Sequence, residues 1–133
     1  MGIDEAVKLR LKMFKITVST EDESILKYLI NKSLNSINNI TNQNYTADTF
    51  PAPIFEIWVD KVAGEYINLK KTTGELPEDY DLLLLVNQVK LGDTSVNLGE
   101  GTANSDEQRL NAVINFLMFG RDRELIRFRR MSR

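Results

Sequence analysis

The sequence predicts a mainly α-helical fold, a small bundle of three to four helices from which one antiparallel β-hairpin projects. Three observations predict it. Apolar residues recur at spacings of three and four across 21–40 and again across 54–71, which makes two long amphipathic helices. The same spacing returns more briefly over 4–14 and 106–119. Around 88–98 the pattern changes to β-favouring residues on either side of Gly92-Asp93.

Over 4–14, Lys8-Leu9-Arg10-Leu11-Lys12-Met13 alternates with period two, as a strand would, while Ile3, Val7, Leu11 and Phe14 keep helical spacing. Asp4 and Glu5 at the start, with Lys12 and Lys15 at the end, match the helix dipole and decide for a helix. The helix over 21–40 opens on Thr20-x-x-Glu23, a capping box in which the two side chains would satisfy unpaired N–H groups. Its apolar stripe runs through Ile25, Leu26, Leu29, Ile30, Leu34, Ile37 and Ile40, and the Asn-rich run from Asn35 to Asn44 ends it.

Pro51 and Pro53 precede the third helix, because proline is tolerated only at or before the first turn. Phe55, Trp58, Val59, Val62, Tyr66 and Leu69 form its apolar face, Gly64 marks a close backbone approach, and Thr72-Thr73-Gly74 stops it. Trp58, the single tryptophan, is expected as a core anchor. Leu82–Val86 suits either a strand or the end of a short helix opened at Pro77. Gly92-Asp93 then supplies a two-residue hairpin turn, with glycine taking positive φ. A second capping box, Ser105-x-x-Gln108, opens the helix over 106–119, with Gly120 expected in the left-handed position that closes it. A basic tail, 121–133, follows.

The 133 residues fit a single domain. A chain of this size buries roughly 65–70% of its unfolded surface, enough for a core without staples. There is no cysteine and no histidine, which removes disulfides, thiolate chemistry, Ser–His nucleophiles and the usual zinc ligand sets. Scattered acids such as Asp79, Asp81 and Asp93 do not have the spacing of a metal site, so no catalytic residue, metal or cofactor is expected. Asp4 and Glu5 close to the start and the absence of an apolar leader segment exclude a secretory signal, and the expected compartment is the cytoplasm. No apolar run is long enough to span a membrane.

Charge is unevenly placed. Residues 72–108 hold eight acids against Lys90 alone, and residues 121–133 hold six arginines against Asp122 and Glu124. An acidic middle and a basic end suggest complementary surfaces, between copies of the chain or with another protein. Arginine's planar fork suits carboxylates on a partner. Leu125, Ile126, Phe128 and Met131 would add the apolar anchor that interface centres need.

The second half of the chain resembles the head–tail connector (adaptor) family of long-tailed bacteriophages. The residues that carry the resemblance are Val89-Lys90-Leu91-Gly92-Asp93-Thr94-Ser95-Val96, a helix from Gln108-Arg109-Leu110 to Leu117, then Phe119-Gly120-Arg121-Asp122 and a closing Phe128-Arg129-Arg130. The first half matches in layout. The segment from Thr72 to Gln88 is longer and more acidic than the family pattern. The resemblance implies a virion protein assembled in the host bacterial cytoplasm and placed in the neck. There it would be a homo-oligomeric ring of roughly twelve copies beneath the portal protein. Such a ring extends the DNA channel and receives a stopper or tail completion protein, while genomic DNA passes through without specific binding.

On this reading the portal or a neighbouring subunit would meet Arg121, Arg123, Arg127, Phe128, Arg129, Arg130 and Met131. The hairpin residues Val89, Lys90, Gly92, Asp93, Thr94, Ser95 and Val96 would pair with the next subunit, because a hairpin edge has free N–H and C=O groups. Three other readings compete, of which a carboxylate-based hydrolase has only the scattered acids Asp79, Asp81 and Asp93 to recommend it. A small DNA-binding regulator would use the arginine tail on phosphates, yet no helix has a basic face with base-reading side chains. Another virion ring component, a stopper or tail terminator, would be richer in strands.

Overall fold

The computed structural model describes residues 2–75 and 106–129, and within them the fold is mainly helical. The elements are α1 (Ile3–Lys12), a 3-10 turn (Thr20–Asp22), α2 (Glu23–Thr41), a second 3-10 turn (Ala52–Ile54), α3 (Phe55–Thr73), α4 (Asp106–Phe119) and α5 (Asp122–Ile126). No strand occurs among the described residues, and both the hairpin expected at 88–98 and the Leu82–Val86 run lie outside them.

α3 is the centre. Ile57, Trp58, Val59, Val62, Ala63, Tyr66 and Ile67 are buried around its whole circumference, with α1, α2 and α4 packed on it. Trp58 is the anchor expected of it: it is buried, its indole N–H donates to Ile30 O at 3.2 Å, and its ring lies 4.7 Å from that of Phe50. Gly64 marks a close approach, as expected. A Cβ there would stand 2.9 Å from Leu117 Cβ and 2.8 Å from Met118 Cγ, so the missing side chain is what lets α4 lie against α3. Gly74, at φ 73°, closes α3 in the left-handed turn that glycine enters without steric cost.

α1 is a helix whose inner face is Val7 and Leu11, followed by buried Phe14. It ends two residues before the expected boundary. Lys15 takes φ 61°, and Ile16 N–H reaches back to Leu11 O at 3.0 Å, which terminates the helical ladder. Leu9 and Met13 point outward, so the period-two alternation arises from apolar residues on two faces of one helix.

The capping box expected at Thr20-x-x-Glu23 is not formed. Thr20–Asp22 is a 3-10 turn, α2 begins at Glu23, and no side chain caps either start. Long-range partners hold these acids instead. The buried Asp22 carboxylate accepts from Tyr66 Oη at 2.8 Å and Lys70 Nζ at 2.5 Å, while Glu23 pairs with Lys8 at 2.6 Å. Ser105, of the second expected box, lies outside the described residues.

α2 buries Leu26, Leu29, Ile30, Ser33 and Ile37, with Leu34 and Ile40 half-buried and Ile25 at the exposed margin of the stripe. The Asn-rich run stops it by a specific device. Asn42 turns left-handed at φ 54°, and the Asn38 amide clamps the following loop through both Tyr45 N–H (2.9 Å) and Tyr45 O (3.1 Å).

α4 presents Leu110, Val113, Ile114 and Leu117 to the core. It stops at Phe119 as expected, but Gly120 is not in the left-handed region. Its N–H donates to Phe116 O at 2.8 Å, and a Cβ would stand 2.7 Å from that oxygen. Glycine is required there by crowding, and the chain continues directly into α5.

Candidate interaction surface

The segment read from sequence as one basic tail divides into an inner, anchored part and an outer face. The anchor begins with two adjacent charges on α3. Lys61, almost wholly buried, donates to Met118 O and to Asp122 Oδ1, both at 2.5 Å, and its ammonium lies 5.5 Å from the centre of the Phe119 ring. One side chain thereby satisfies a carbonyl at the end of α4 and a carboxylate at the start of α5. Asp60 is buried beside it. It accepts from Arg10 Nε at 3.1 Å and faces an Arg121 terminal nitrogen at 3.7 Å, which ties α1 and the α4–α5 junction to one carboxylate. Burial raises the Asp60 carboxyl above the ordinary aspartate range, against the opposing pull of Arg10 and Arg121.

Arg121 also grips Glu124 with its fork, at 2.7 and 3.1 Å. That contact raises the guanidinium and lowers the Glu124 carboxyl from their ordinary values. Beyond it, Leu125 is fully buried, α5 packs on α2, and Gln43 Nε2 donates to Phe128 O at 3.1 Å. The Phe128 ring is half-buried against the core.

The residues expected to meet a partner therefore separate. Arg123, Arg127 and Arg129 are exposed, with Ile126 (58% exposed) among them. Arg121 is committed to Glu124 and Asp60, and Phe128 turns toward its own bundle. Arg130 and Met131, with the hairpin set Val89, Lys90, Gly92, Asp93, Thr94, Ser95 and Val96, lie outside the described residues. Among the described residues no group of three or more carboxylates is placed to hold a metal ion, and no helix is long and apolar enough to cross a membrane.

Sequence reasoning missed other exposed apolar residues: Leu9 (50%) on α1 and Met13 just past its end, Tyr28 (66%) on α2, and Phe119 at the end of α4. The signal for the first two was present in the alternation of 8–13, where apolar residues occupy more of the helix than one buried face can use. Comparison with protein-family models, with curated proteins and with solved structures found no match to this chain.

Proposed function

We propose that this chain is a structural subunit of a bacteriophage neck, a head–tail connector that forms a homo-oligomeric ring beneath the capsid portal. The observation that carries the reading is the order of motifs in the second half. A Val89–Val96 segment centred on Gly92-Asp93 is followed by an amphipathic helix, Gly120-Arg121-Asp122, and a closing aromatic–arginine run. The anchoring of Leu125 and Phe128 against the bundle supports it, since it holds Arg123, Arg127 and Arg129 outward on a fixed base. Those three arginines suit carboxylates on the portal. The net charge of −2 suits a channel through which DNA passes without being gripped.

The test is the native mass of the purified chain, alone and mixed with its candidate portal. Removing 121–133 would also remove Leu125 from the core, so the informative variant reverses the three exposed arginines, R123E/R127E/R129E. The connector reading expects a closed ring, or a monomer that joins the portal in fixed stoichiometry, with portal association lost in the triple variant. A chain that stays monomeric and ignores the portal overturns the reading. Salt-sensitive binding to a short duplex would then favour the DNA-binding regulator. A ring that docks on another neck component would favour the stopper or tail terminator.

A further inference from the structure

Between α2, α3 and α4 lies a hollow of about 350 Å3, lined by Lys32 and Ser33 of α2, Lys61 and Glu65 of α3, and Met118 and Phe119 of α4. That volume is at the lower end of the range for small-ligand sites. One group in its wall is left over by the fold. Ser33 is only 4% exposed, yet its hydroxyl makes no hydrogen bond among the described residues. Thr41, further along the same helix, shows the usual arrangement, with its hydroxyl donating to Ile37 O at 2.8 Å. A buried hydroxyl without a partner is costly, so Ser33 marks a place where the partner comes from outside the fold.

The remaining groups select the chemistry of that partner. Lys32 pairs with Glu65 at 3.1 Å and Lys61 with Asp122 at 2.5 Å, so two cations meet two carboxylates and the wall is balanced. A neutral group suits it better than an ion of either sign. Hydrogen-bonding capacity is still unspent. Among the described residues Lys32 gives one N–H, to Glu65 Oε2, and Lys61 gives two, to Met118 O and Asp122, which leaves ammonium donors on both beside the Ser33 hydroxyl. The second oxygen of Glu65 remains to accept. An amide answers both needs, with a carbonyl that accepts and an N–H that donates. The Phe119 ring, 57% exposed, and half-buried Met118 offer a face for an aromatic body. Lys61 already lies 5.5 Å from the centre of the Phe119 ring, and a second ring beside it would add another cation–π contact.

We propose that this hollow is a binding site for an uncharged aromatic ring bearing an amide, with the ring against Phe119 and Met118 and the carbonyl accepting from Ser33. The site goes beyond the ring reading above and does not depend on it. The same chemistry occurs in a free aromatic amide and, as ring plus backbone amide, in a phenylalanine of another protein. Benzamide and N-acetylphenylalaninamide represent the two sources and are titrated separately into the isotope-labelled chain. Benzoate and toluene, which present the ring with a charge or with no polar group, are titrated in parallel. Saturable shifts of the Ser33, Lys61 and Phe119 amide signals are expected with at least one of the two amides, and the tighter of them identifies the source. Ser33→Ala should weaken that binding about threefold to tenfold, as removal of one hydrogen bond does. Its urea midpoint should be no lower than that of the wild type, because the fold does not use the hydroxyl. Several results overturn the site: no saturable shift with either amide, benzoate or toluene bound as tightly as the amides, or unchanged amide binding in Ser33→Ala. A Ser33→Ala chain that unfolds earlier overturns it as well, since the hydroxyl would then be satisfied within the fold.

Discussion

Lys61 and Asp122 form an ion pair in which the two partners are unequally buried: the lysine side chain is 5% exposed and the aspartate 34%. The inequality predicts an asymmetric response to mutation. Asp122→Ala leaves an ammonium inside the fold with Met118 O and the face of the Phe119 ring but no counter-charge in contact, and stability should fall by about 3 kcal/mol. Lys61→Met keeps the packing stem and leaves a carboxylate that can turn to water. It should cost less, about 1–2 kcal/mol, mostly for the orphaned carbonyl. Urea midpoints of the two variants, measured side by side, check the order. An equal or reversed order would mean that Lys61 has more access to water than its position indicates.

Gly64→Ala tests how closely α3 and α4 approach. In an ordinary helix the change stabilises by about 1 kcal/mol. Here the new methyl would meet Leu117 Cβ and Met118 Cγ at under 3 Å, along with the Met118 backbone nitrogen at 3.3 Å. Overpacking costs about 1–3 kcal/mol and should outweigh the propensity gain, lowering the thermal midpoint. A midpoint that rises would show that α4 can move away at little expense.

Asp22 gives the fold a pH dependence whose direction can be worked out. The Lys70 ammonium and then the Tyr66 hydroxyl hold the folded carboxyl below its ordinary value. The stabilisation is therefore complete above the unfolded aspartate range, near pH 4, and is lost as pH falls through the lower folded value. Asp60 acts in the opposite sense, because burial raises its folded value. Comparison with Asp22→Asn isolates the first effect. The wild-type chain should be the more stable at pH 7, and the gap should close progressively as pH falls below about 4. A gap independent of pH would assign the contribution of Asp22 to hydrogen bonding rather than charge.

The helices were legible from the sequence because their apolar stripes are long, but the full burial of α3 was not: Ile57, Ala63 and Ile67 join Trp58, Val59, Val62 and Tyr66 in the core, while Phe55 and Leu69 of the expected stripe are only half-buried. Gly64, Gly74 and Trp58 were legible for a related reason, since each residue type has few other uses at its position. The capping box was not. Thr20 and Glu23 satisfy a local pattern, but Tyr66 and Lys70, more than 40 residues away, offer Asp22 partners that the pattern cannot contain. The C-terminal arginines were read as one set because composition carries no depth. Asp60, fifty residues from Arg10 and sixty-one from Arg121, is what takes Arg121 out of that set.

Leu125 decides how the C-terminal segment should be cut in any experiment. It is fully buried and sits among arginines that a truncation would remove with it. Leu125→Ala should cost about 2–4 kcal/mol, the loss of a buried side chain plus the cavity it leaves. The triple reversal R123E/R127E/R129E changes only exposed positions, and each should move stability by no more than about 0.5 kcal/mol. Urea unfolding followed by the fluorescence of Trp58, the sole tryptophan, reads both variants through the same probe. If the charge-reversed chain unfolds as early as Leu125→Ala, the arginines hold the segment to its own bundle and are not available to a partner. If it unfolds with the wild type, any loss of portal association in that variant belongs to the interface alone.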